Sequence, residues 1–332
     1  MGLLPFEKVK REVIEKREEE SNPSFGKPPE ERNLTEMLKF GFVNIDKPSG
    51  QSSHNVSYFV KRILNLDKTG HPGILDLKVT GVLPVALQNS TKLIKPLLLA
   101  GKEYVCLMHL HSQVPFEKLR EAILGFVGKI KQIPPVRAKA KRVEREREIY
   151  YINILEVERK DVLLEIGCES GTYIRKLCHD IGVKLGVGAH MVQLRRTKVG
   201  AFNENTKLIT LHKLAAAYLS FKESGNEKEI AELILPCEFS VAHLPKVYVS
   251  DTSVGALTYG APLMVPGVVK FESGWEINDI LAIMTLKGEL VAIARAQMDW
   301  ESLIEAKKGI VAKLERVIMP RDIYPRVWKK RK

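Results

Sequence analysis

One aspartate within an apolar run constrains this chain more than any other sequence feature. Asp76 lies in the run H-P-G-I-L-D-L-K-V-T-G-V-L of residues 71–83, between Gly73 and Gly81. Surface turns usually surround an aspartate with small polar residues, whereas Ile, Leu and Val stand on both sides of this one. A carboxylate in apolar surroundings is expected to be paired, protonated or used in chemistry. The competing interpretation is a turn aspartate that hydrogen-bonds the backbone.

Charge and length narrow the class of protein. The chain has 332 residues, 45% of them hydrophobic, and a formal net charge of +12. This length is enough for about two domains, and the basic balance favours a polyanionic partner, either nucleic acid or an anionic membrane. No apolar run approaches the roughly 18 residues of a membrane span, and charged residues stand where a signal peptide would have its apolar core. We therefore expect an intracellular, soluble protein of the cytoplasm.

The four cysteines form no C-x-x-C pair, which argues against a zinc site and against a disulfide scaffold. Each is expected to be a buried free thiol. They are Cys106, Cys168, Cys178 and Cys237.

The pattern along the chain predicts an arm and two domains. Residues 1–35 are charged, with a helix-like stretch at 7–20, and have too few apolar anchors to fold alone, so they form a tail or an arm on another domain. Residues 36–240 interleave strands and helices without a strict βαβ rhythm, which predicts an α+β fold with a mixed central sheet flanked by helices. Short strands with Gly and Pro turns at 245–328 predict a small β-barrel, followed by a basic tail at 329–332.

Hydrophobic periodicity places the main elements of the larger domain. Residues 102–111 are apolar on both faces, as expected of a strand at the centre of its sheet. The remaining predictions are a strand at 41–46, a helix capped by Ser52 or Ser53, a helix at 91–99, a helix at 116–126, a hairpin of 149–157 with 162–168, and a helix that opens at residue 171 or 172.

Four motifs in order carry a family resemblance. They are I-D-K-P-S-G-Q-S-S-H at 45–54, H-P-G-I-L-D-L-K-V-T-G-V-L-P at 71–84, G-K-E-Y at 101–104, and S-G-T-Y-I-R-K-L at 170–177 with L-R-R-T-K-V-G at 194–200. Together they resemble the TruB/dyskerin family of RNA pseudouridine synthases, and the C-terminal barrel is similar to a PUA domain, an RNA-binding module. The extended N-terminus and the stretch at 186–196 are most similar to the archaeal and eukaryotic dyskerin branch.

The resemblance implies an isomerase that detaches uracil from C1′ of uridine and rejoins it through C5, without a metal or another cofactor. Asp76 would be the catalytic carboxylate. Because an apolar pocket would disfavour its charge, Arg175 would hold it ionised. Tyr104 would stack on the target base. From the residues alone, Arg175 is more simply a phosphate contact and Tyr104 a core residue.

The resemblance also assigns supporting residues. His71 would help to displace the base, and Leu194 would be a wall of the uracil pocket. The supports of the site would be Lys47, Pro48, Gly73 and Gly81.

The chain departs from the family's usual central motif at two positions. Ile74 and Leu77 stand where the family usually has Thr and Pro. Proline would fix φ after the aspartate, so its replacement is expected to loosen the loop.

By the same resemblance the chain would be the catalytic subunit of an H/ACA guide RNA particle. Its substrate RNA would be rRNA and in some cases tRNA, its partners a guide RNA and the small H/ACA particle proteins, and no membrane would be involved. Aromatic residues are 7% of the sequence and are not interleaved with basic ones as in single-strand readers, so the choice of site is expected to come from the guide. Two alternatives stay open: a stand-alone tRNA pseudouridine-55 synthase and an RNA-binding scaffold with a vestigial site. The choice between attack at C1′ and at C6 also stays open.

Overall fold

The structure is a computed structural model that describes residues 2–134 and 141–326. The basic tail predicted at 329–332 lies outside the described residues. The α-helices are α1 (Pro5–Lys8), α2 (Leu34–Lys39), α3 (Ser53–Ile63), α4 (Ile94–Leu99), α5 (Phe116–Leu124), α6 (Ile174–Leu185), α7 (Leu211–Ser224), α8 (Lys228–Leu233), α9 (Asp251–Thr258) and α10 (Trp300–Glu305).

The strands of the larger domain belong to one mixed sheet, in the order β11-β2-β4-β9-β5-β8-β7-β6. Three short strands pair at its margins: β3 with β4, β10 with β9 and β12 with β2. The bounds are β2 (Gly41–Lys47), β3 (Thr69–Gly70), β4 (Thr80–Leu87), β5 (Lys102–Leu110), β6 (Gly128–Gln132), β7 (Arg145–Glu158), β8 (Asp161–Cys168), β9 (Ala189–Val199), β10 (Phe202–Asn203), β11 (Leu208–Ile209) and β12 (Leu235–Pro236).

The C-terminal strands form a second mixed sheet together with the N-terminal strand β1, in the order β1-β15-β13-β16-β17-β18-β14. Its core includes Phe271 and Trp275, whose rings meet edge to face. The prediction of an α+β fold with a second, β-rich C-terminal unit is confirmed. The bounds are β1 (Val13–Glu15), β13 (Lys246–Val249), β14 (Leu263–Met264), β15 (Val268–Glu272), β16 (Ile280–Thr285), β17 (Leu290–Ala296) and β18 (Ile310–Val317).

The centre of the larger sheet follows the sequence pattern. β5 pairs along its length with both β8 and β9, as its two apolar faces predicted. β7 and β8 form the predicted hairpin, closed by a turn in which Arg159 has a φ of +55°. α3 begins after Ser52, whose side chain accepts a hydrogen bond from the backbone N–H of Asn55, as predicted for a capping serine.

Helix α6 packs its apolar stripe on the face of the sheet that β5 and β9 present. Its buried residues are Ile174, Leu177, Cys178, Ile181, Gly182 and Leu185. The predicted opening at residue 171 or 172 is wrong by two to three residues. Tyr173 has an extended conformation, because the side chain of Gln132 binds both its backbone N–H and its carbonyl.

Two other predictions about elements are wrong. The helix expected at 91–99 starts as the 3-10 helix Gln88–Leu93 and becomes α-helical at Ile94. The charged stretch at 7–20 is not a helix: α1 ends at Lys8, and β1 adds to the second sheet beside β15. That sheet edge supplies backbone hydrogen bonds which a solvent-exposed helix of this composition would have to form alone.

Two further findings concern the cysteines and the length and character of the helices. The four cysteines are free and buried, as predicted. Among residues 2–134 and 141–326 there is no helix with both the length and the apolar character needed to cross a membrane.

Candidate active site

The candidate residues meet where β9 lies between β4 and β5. Arg196 of β9 is the register partner of Gly81 on one side and of Tyr104 on the other. A Cβ on Gly81 would lie 2.2 Å from the carbonyl oxygen of Arg196, and its φ is +101°, so glycine alone allows this approach of the strands. Because directly opposed residues share a face of the sheet, Tyr104 and Arg196 lie on the side that α6 covers.

Side chains from two other elements hold the backbone of the loop that carries Asp76. Lys47, fully buried at the end of β2, donates from Nζ to the carbonyls of Pro48, Leu77 and Val79 at 2.9, 3.2 and 2.7 Å. The hydroxyl of Ser53 accepts a hydrogen bond from the backbone N–H of Leu75 at 2.8 Å.

Backbone hydrogen bonds hold the loop at the position where the family usually has proline. The carbonyl of Leu77 accepts from the N–H of Gly50 as well as from Lys47, and the N–H of Val79 donates to the carbonyl of Asp76. These contacts hold the backbone after the aspartate in this structure, and the looser loop expected without the proline stays a prediction.

Asp76 and Arg175 are brought together, as the family motif implied. Arg175, in the first turn of α6, donates from Nη2 to Oδ2 of Asp76 at 3.1 Å. The pair is open to water, with 65% of the Asp76 side chain and 57% of the Arg175 side chain exposed.

The expected apolar pocket around Asp76 is not what the structure shows. Ile74 and Leu77 are 76% and 58% exposed, whereas Leu75 and Val79 are buried. The loop turns its apolar residues alternately inward and outward, so the carboxylate of Asp76 is exposed to solvent.

Tyr104 and Leu194 lie on the covered face of the sheet. Tyr104 is 8% exposed, and burial raises the pKa of its phenol. Leu194 is half-buried against the same core, opposite Cys106.

His71 and Gly73 form the start of the loop. The Nδ1–H of His71 donates to the carbonyl of Gly73 at 3.2 Å. Burial, with a contribution from the charge of Arg196, lowers the pKa of His71, so the imidazole is neutral at pH 7. Gly73 has a φ of +122°, which a residue with a side chain rarely adopts. Pro48 is exposed and reaches the site only through its carbonyl.

Two charged residues of this site were not singled out from the sequence, although both stand in the quoted motifs. Lys102 and Arg196 are 5% and 1% exposed and lie under Gly73. Lys102 Cε and Arg196 Nη1 are 4.0 and 3.6 Å from the position that a Cβ on Gly73 would occupy. Burial, followed by the charge of Arg196, lowers the pKa of Lys102 to about 7. The two-residue period of a strand could have indicated Arg196, because it shares a face with Leu194.

Family models cover most of the chain in order. A DKCLD (NUC011) domain matches residues 4–57, and the N-terminal domain of TruB family pseudouridylate synthases matches 61–117. The C-terminal domain of tRNA pseudouridylate synthase B matches 175–242, and a PUA domain matches 245–318.

Relatives match the chain from end to end. A protein named probable tRNA pseudouridine synthase B from Pyrococcus furiosus is 51% identical over 330 residues, which are 99% of this chain and 97% of the relative. One of the same name from Methanosarcina barkeri is 47% identical, with coverage of 99% and 97%.

Solved structures also contain chains similar to this one over almost its whole length. One described as a Cbf5-Nop10-Gar1 complex contains a chain 51% identical, with a TM-score of 0.94 and coverage of 98% and 99%. One described as an H/ACA RNP bound to a substrate RNA containing 2′-deoxyuridine contains a chain 49% identical, with a TM-score of 0.92 and coverage of 98% and 100%.

The fold and the site therefore define an RNA-modifying isomerase with a PUA domain. The chain belongs to the TruB family of pseudouridine synthases, as the sequence motifs indicated.

Proposed function

We propose that this chain converts uridine to pseudouridine in RNA as the catalytic subunit of an H/ACA guide RNA particle, with Asp76 as its catalytic carboxylate. The observation that carries the assignment of Asp76 is its ion pair with Arg175 at the open edge of a site floored by Tyr104. An anion that is held in place and open to solvent can meet a nucleotide that has left its stack.

The chemistry fits these residues. Isomerisation breaks the N1–C1′ bond, forms a C5–C1′ bond and moves one proton from C5 to N1. A carboxylate beside C1′ stabilises the positive charge that develops there, or adds to the carbon directly. A uridine seated over Asp76 displaces its water, and Arg175 then holds the carboxylate ionised and oriented.

The other residues hold the base. In the proposal the ring of Tyr104 stacks on the target base, Leu194 forms the apolar wall of its pocket, and neutral His71 takes the place that the base leaves in the stack. Lys47, Pro48, Gly73 and Gly81 shape the loop and the strands beneath it. Their contacts to backbone groups support this division of roles.

The partners follow from the proteins that this chain resembles. Chains with about half of its residues in common occur in complexes described as an H/ACA RNP and as Cbf5-Nop10-Gar1. We extend this assembly to the present chain, with a guide RNA and small partner proteins, ribosomal RNA as substrate, and a role in ribosome biogenesis. The free thiols suit the reducing cytoplasm.

The arm and the C-terminal unit supply a surface for the guide in this proposal. The ring of Tyr259, after α9, is contacted by the guanidinium groups of Arg321 and Arg326, at 4.6 and 4.5 Å from its centre. Arg321 and Tyr259 line a cavity of about 420 Å³ beside Lys92. Cations next to an aromatic face suit RNA, because they offer phosphate contacts and stacking together. We also propose that the chain divides into the arm, residues 1–35, a catalytic domain, residues 36–240, and a C-terminal RNA-binding domain that begins at residue 245.

A second candidate is guide-independent modification of tRNA, favoured by the names of the curated relatives. One assay separates the two. A substrate RNA with two uridines is incubated with the protein, its partner proteins and either of two guides, each leaving a different uridine unpaired. We expect pseudouridine to follow the guide. Modification of the same uridine with either guide, or equal modification of a tRNA without any guide, would favour the second candidate.

A further inference from the structure

Three buried cations lie under the catalytic loop without a carboxylate partner. Lys47, Lys102 and Arg196 are 0%, 5% and 1% exposed. Within the described part of the chain, Lys47 and Lys102 donate their hydrogen bonds to backbone carbonyls, and Arg196 has the neutral phenol of Tyr104 as a partner besides a carbonyl. Lys102 Nζ binds the carbonyls of Leu98 and Ala100, and Arg196 Nε binds that of Val82 at 2.9 Å.

Arg196 is the centre of this group. Its charge acts on Lys47, His71, Lys102 and Tyr104, and in each case it opposes further positive charge or favours negative charge. Its Nη2 is buried and has no hydrogen-bond partner among the described residues. A buried guanidinium with an unused donor is costly to keep, and an apolar side chain of similar volume would be more stable there.

The next arginine along the strand shows that this isolation is not general. Arg195, on the opposite face of β9, binds both oxygens of Asp46 at 2.9 and 3.1 Å and also Glu204 at 2.6 Å. It is 36% exposed. The same strand therefore presents one arginine that is neutralised on the outer face and one that is left with its charge beneath the site.

We propose that Arg196 is a further residue of the active site, whose fixed positive charge stabilises the negative charge that uracil carries between its release from C1′ and its attachment through C5. This inference rests on the proposed function. It gives the unused N–H of Arg196 a purpose, and it explains why Gly81 and Tyr104 flank this residue in the register.

The uracil that leaves C1′ carries a negative charge, because it takes the bonding electrons with it. When the N1–C1′ bond breaks, its electron pair leaves with the uracil and is shared among N1, O2 and O4. Formation of the C5–C1′ bond uses an electron pair of this anion, and C5 then loses its proton while N1 gains one from solvent. A preorganised cation that is itself shielded from water, as Arg196 is, stabilises such an anion more effectively than hydrated groups do.

The test measures single-turnover rates in the complete guided complex at saturating RNA. Arg196→Met removes the charge at similar length, Arg196→Lys keeps it, and Arg195→Met is the matched control. Each variant is tested on uridine and on 5-fluorouridine, whose fluorine stabilises the uracil anion by withdrawing electrons; consumption of the target nucleoside is measured for both substrates. Circular dichroism and the RNA dissociation constant report folding and binding.

We expect Arg196→Met to lower the rate on uridine by about 10²–10³-fold, as when one donor to a developing anion is removed, with unchanged RNA binding. The loss on 5-fluorouridine should be several-fold smaller, Arg196→Lys should retain most activity, and Arg195→Met should stay within about threefold of wild type. Equal losses on the two substrates would overturn the proposal, because a merely structural defect affects both alike.

Two further outcomes are interpreted separately: a variant that does not fold and a wild-type complex that is inactive. If Arg196→Met does not fold, the neutral, polar variant Arg196→Gln takes its place: its loss must be greater on uridine than on 5-fluorouridine, and equal losses again overturn the proposal. If the wild-type complex forms no pseudouridine at all, the proposed function fails, and this inference fails with it.

Discussion

The two halves of the proposed active site differ in how they hold charge. Asp76 and Arg175 form an ion pair that is more than half exposed, at the tip of a loop and the first turn of a helix. Lys102 and Arg196, under the same loop, are almost completely buried, and no carboxylate among the described residues pairs with them. A surface pair of this kind contributes little to stability, whereas buried unpaired cations lower it. In our proposal the exposed pair serves the substrate, and the two buried cations are kept by the fold at a cost in stability.

The largest expected effect is at the exposed carboxylate. Asp76→Asn keeps the shape of the side chain and removes its charge, so turnover should fall by several orders of magnitude while RNA binding is preserved. Single-turnover assays with a binding measurement check this. Asp180→Asn, which removes a carboxylate paired with Lys176 on the same helix as Arg175, is the control. Turnover of the Asp76→Asn protein above about one per cent of wild type would contradict a nucleophilic role.

The second effect concerns the exposed partner. Arg175→Lys should lower the single-turnover rate by about 10–100-fold, because lysine is a point charge without the planar fork that matches a carboxylate. Arg120→Lys, another exposed arginine beside a glutamate, should leave the rate unchanged. A fully active Arg175→Lys protein would mean that the pairing with Asp76 has no part in the reaction.

The third effect concerns the ring between the two halves. Tyr104→Ala should weaken binding of the target base by roughly 1–3 kcal/mol, the usual value of base–aromatic stacking, and Tyr104→Phe should weaken it much less. Competition between an RNA with the target uridine and one with an abasic nucleotide there measures this difference. Similar losses in the two variants would assign base binding to the hydroxyl instead of the ring.

The smallest effect on turnover is expected at Lys102. Its substitution should instead change how the free energy of unfolding depends on pH. Its folded-state pKa is about 7, below the ordinary 10.5, because of burial and Arg196. Below pH 7 both states are protonated and the burial penalty is complete. Between pH 7 and 10.5 the unfolded chain keeps the proton that the folded chain has lost, so this group makes stability rise with pH.

Urea unfolding at pH 7 and pH 9.5 checks this sign. Lys102→Met should raise the free energy of unfolding, and the gain should be larger at pH 7 than at pH 9.5. Lys95→Met, at an exposed position of α4, should show no such difference. An equal gain for Lys102→Met at both pH values would mean that the surroundings do not lower the pKa of Lys102.

The same comparison shows which features of the site could be predicted from the sequence and which could not. The motifs led to Asp76, Tyr104 and Arg175, and periodicity gave β5, the β7–β8 hairpin and α3, because these depend on local patterns. The exposure of Asp76 could not be read in this way, since the apolar residues around it alternate between the core and solvent. That alternation is set by Lys47 and Ser53, which hold the loop from other elements.

The same reason explains the other errors. Val13–Glu15 is a strand because a sheet edge about 250 residues later is there to pair with it, and no local propensity reports this. Arg196 looked like one of several basic residues in its motif. Its isolation follows from the close pairing of β9 with β4 and β5, which becomes visible only when the three strands are together.

The most direct test of the account follows the hydrogen on C5. An RNA with tritium at C5 of a single unpaired target uridine is incubated with the protein, guide RNA and partner proteins, and tritium in water is measured. We expect release of one tritium for each target uridine with wild type, and none above background with Asp76→Asn. Absence of release with the complete wild-type complex, or undiminished release with Asp76→Asn, would contradict this expectation.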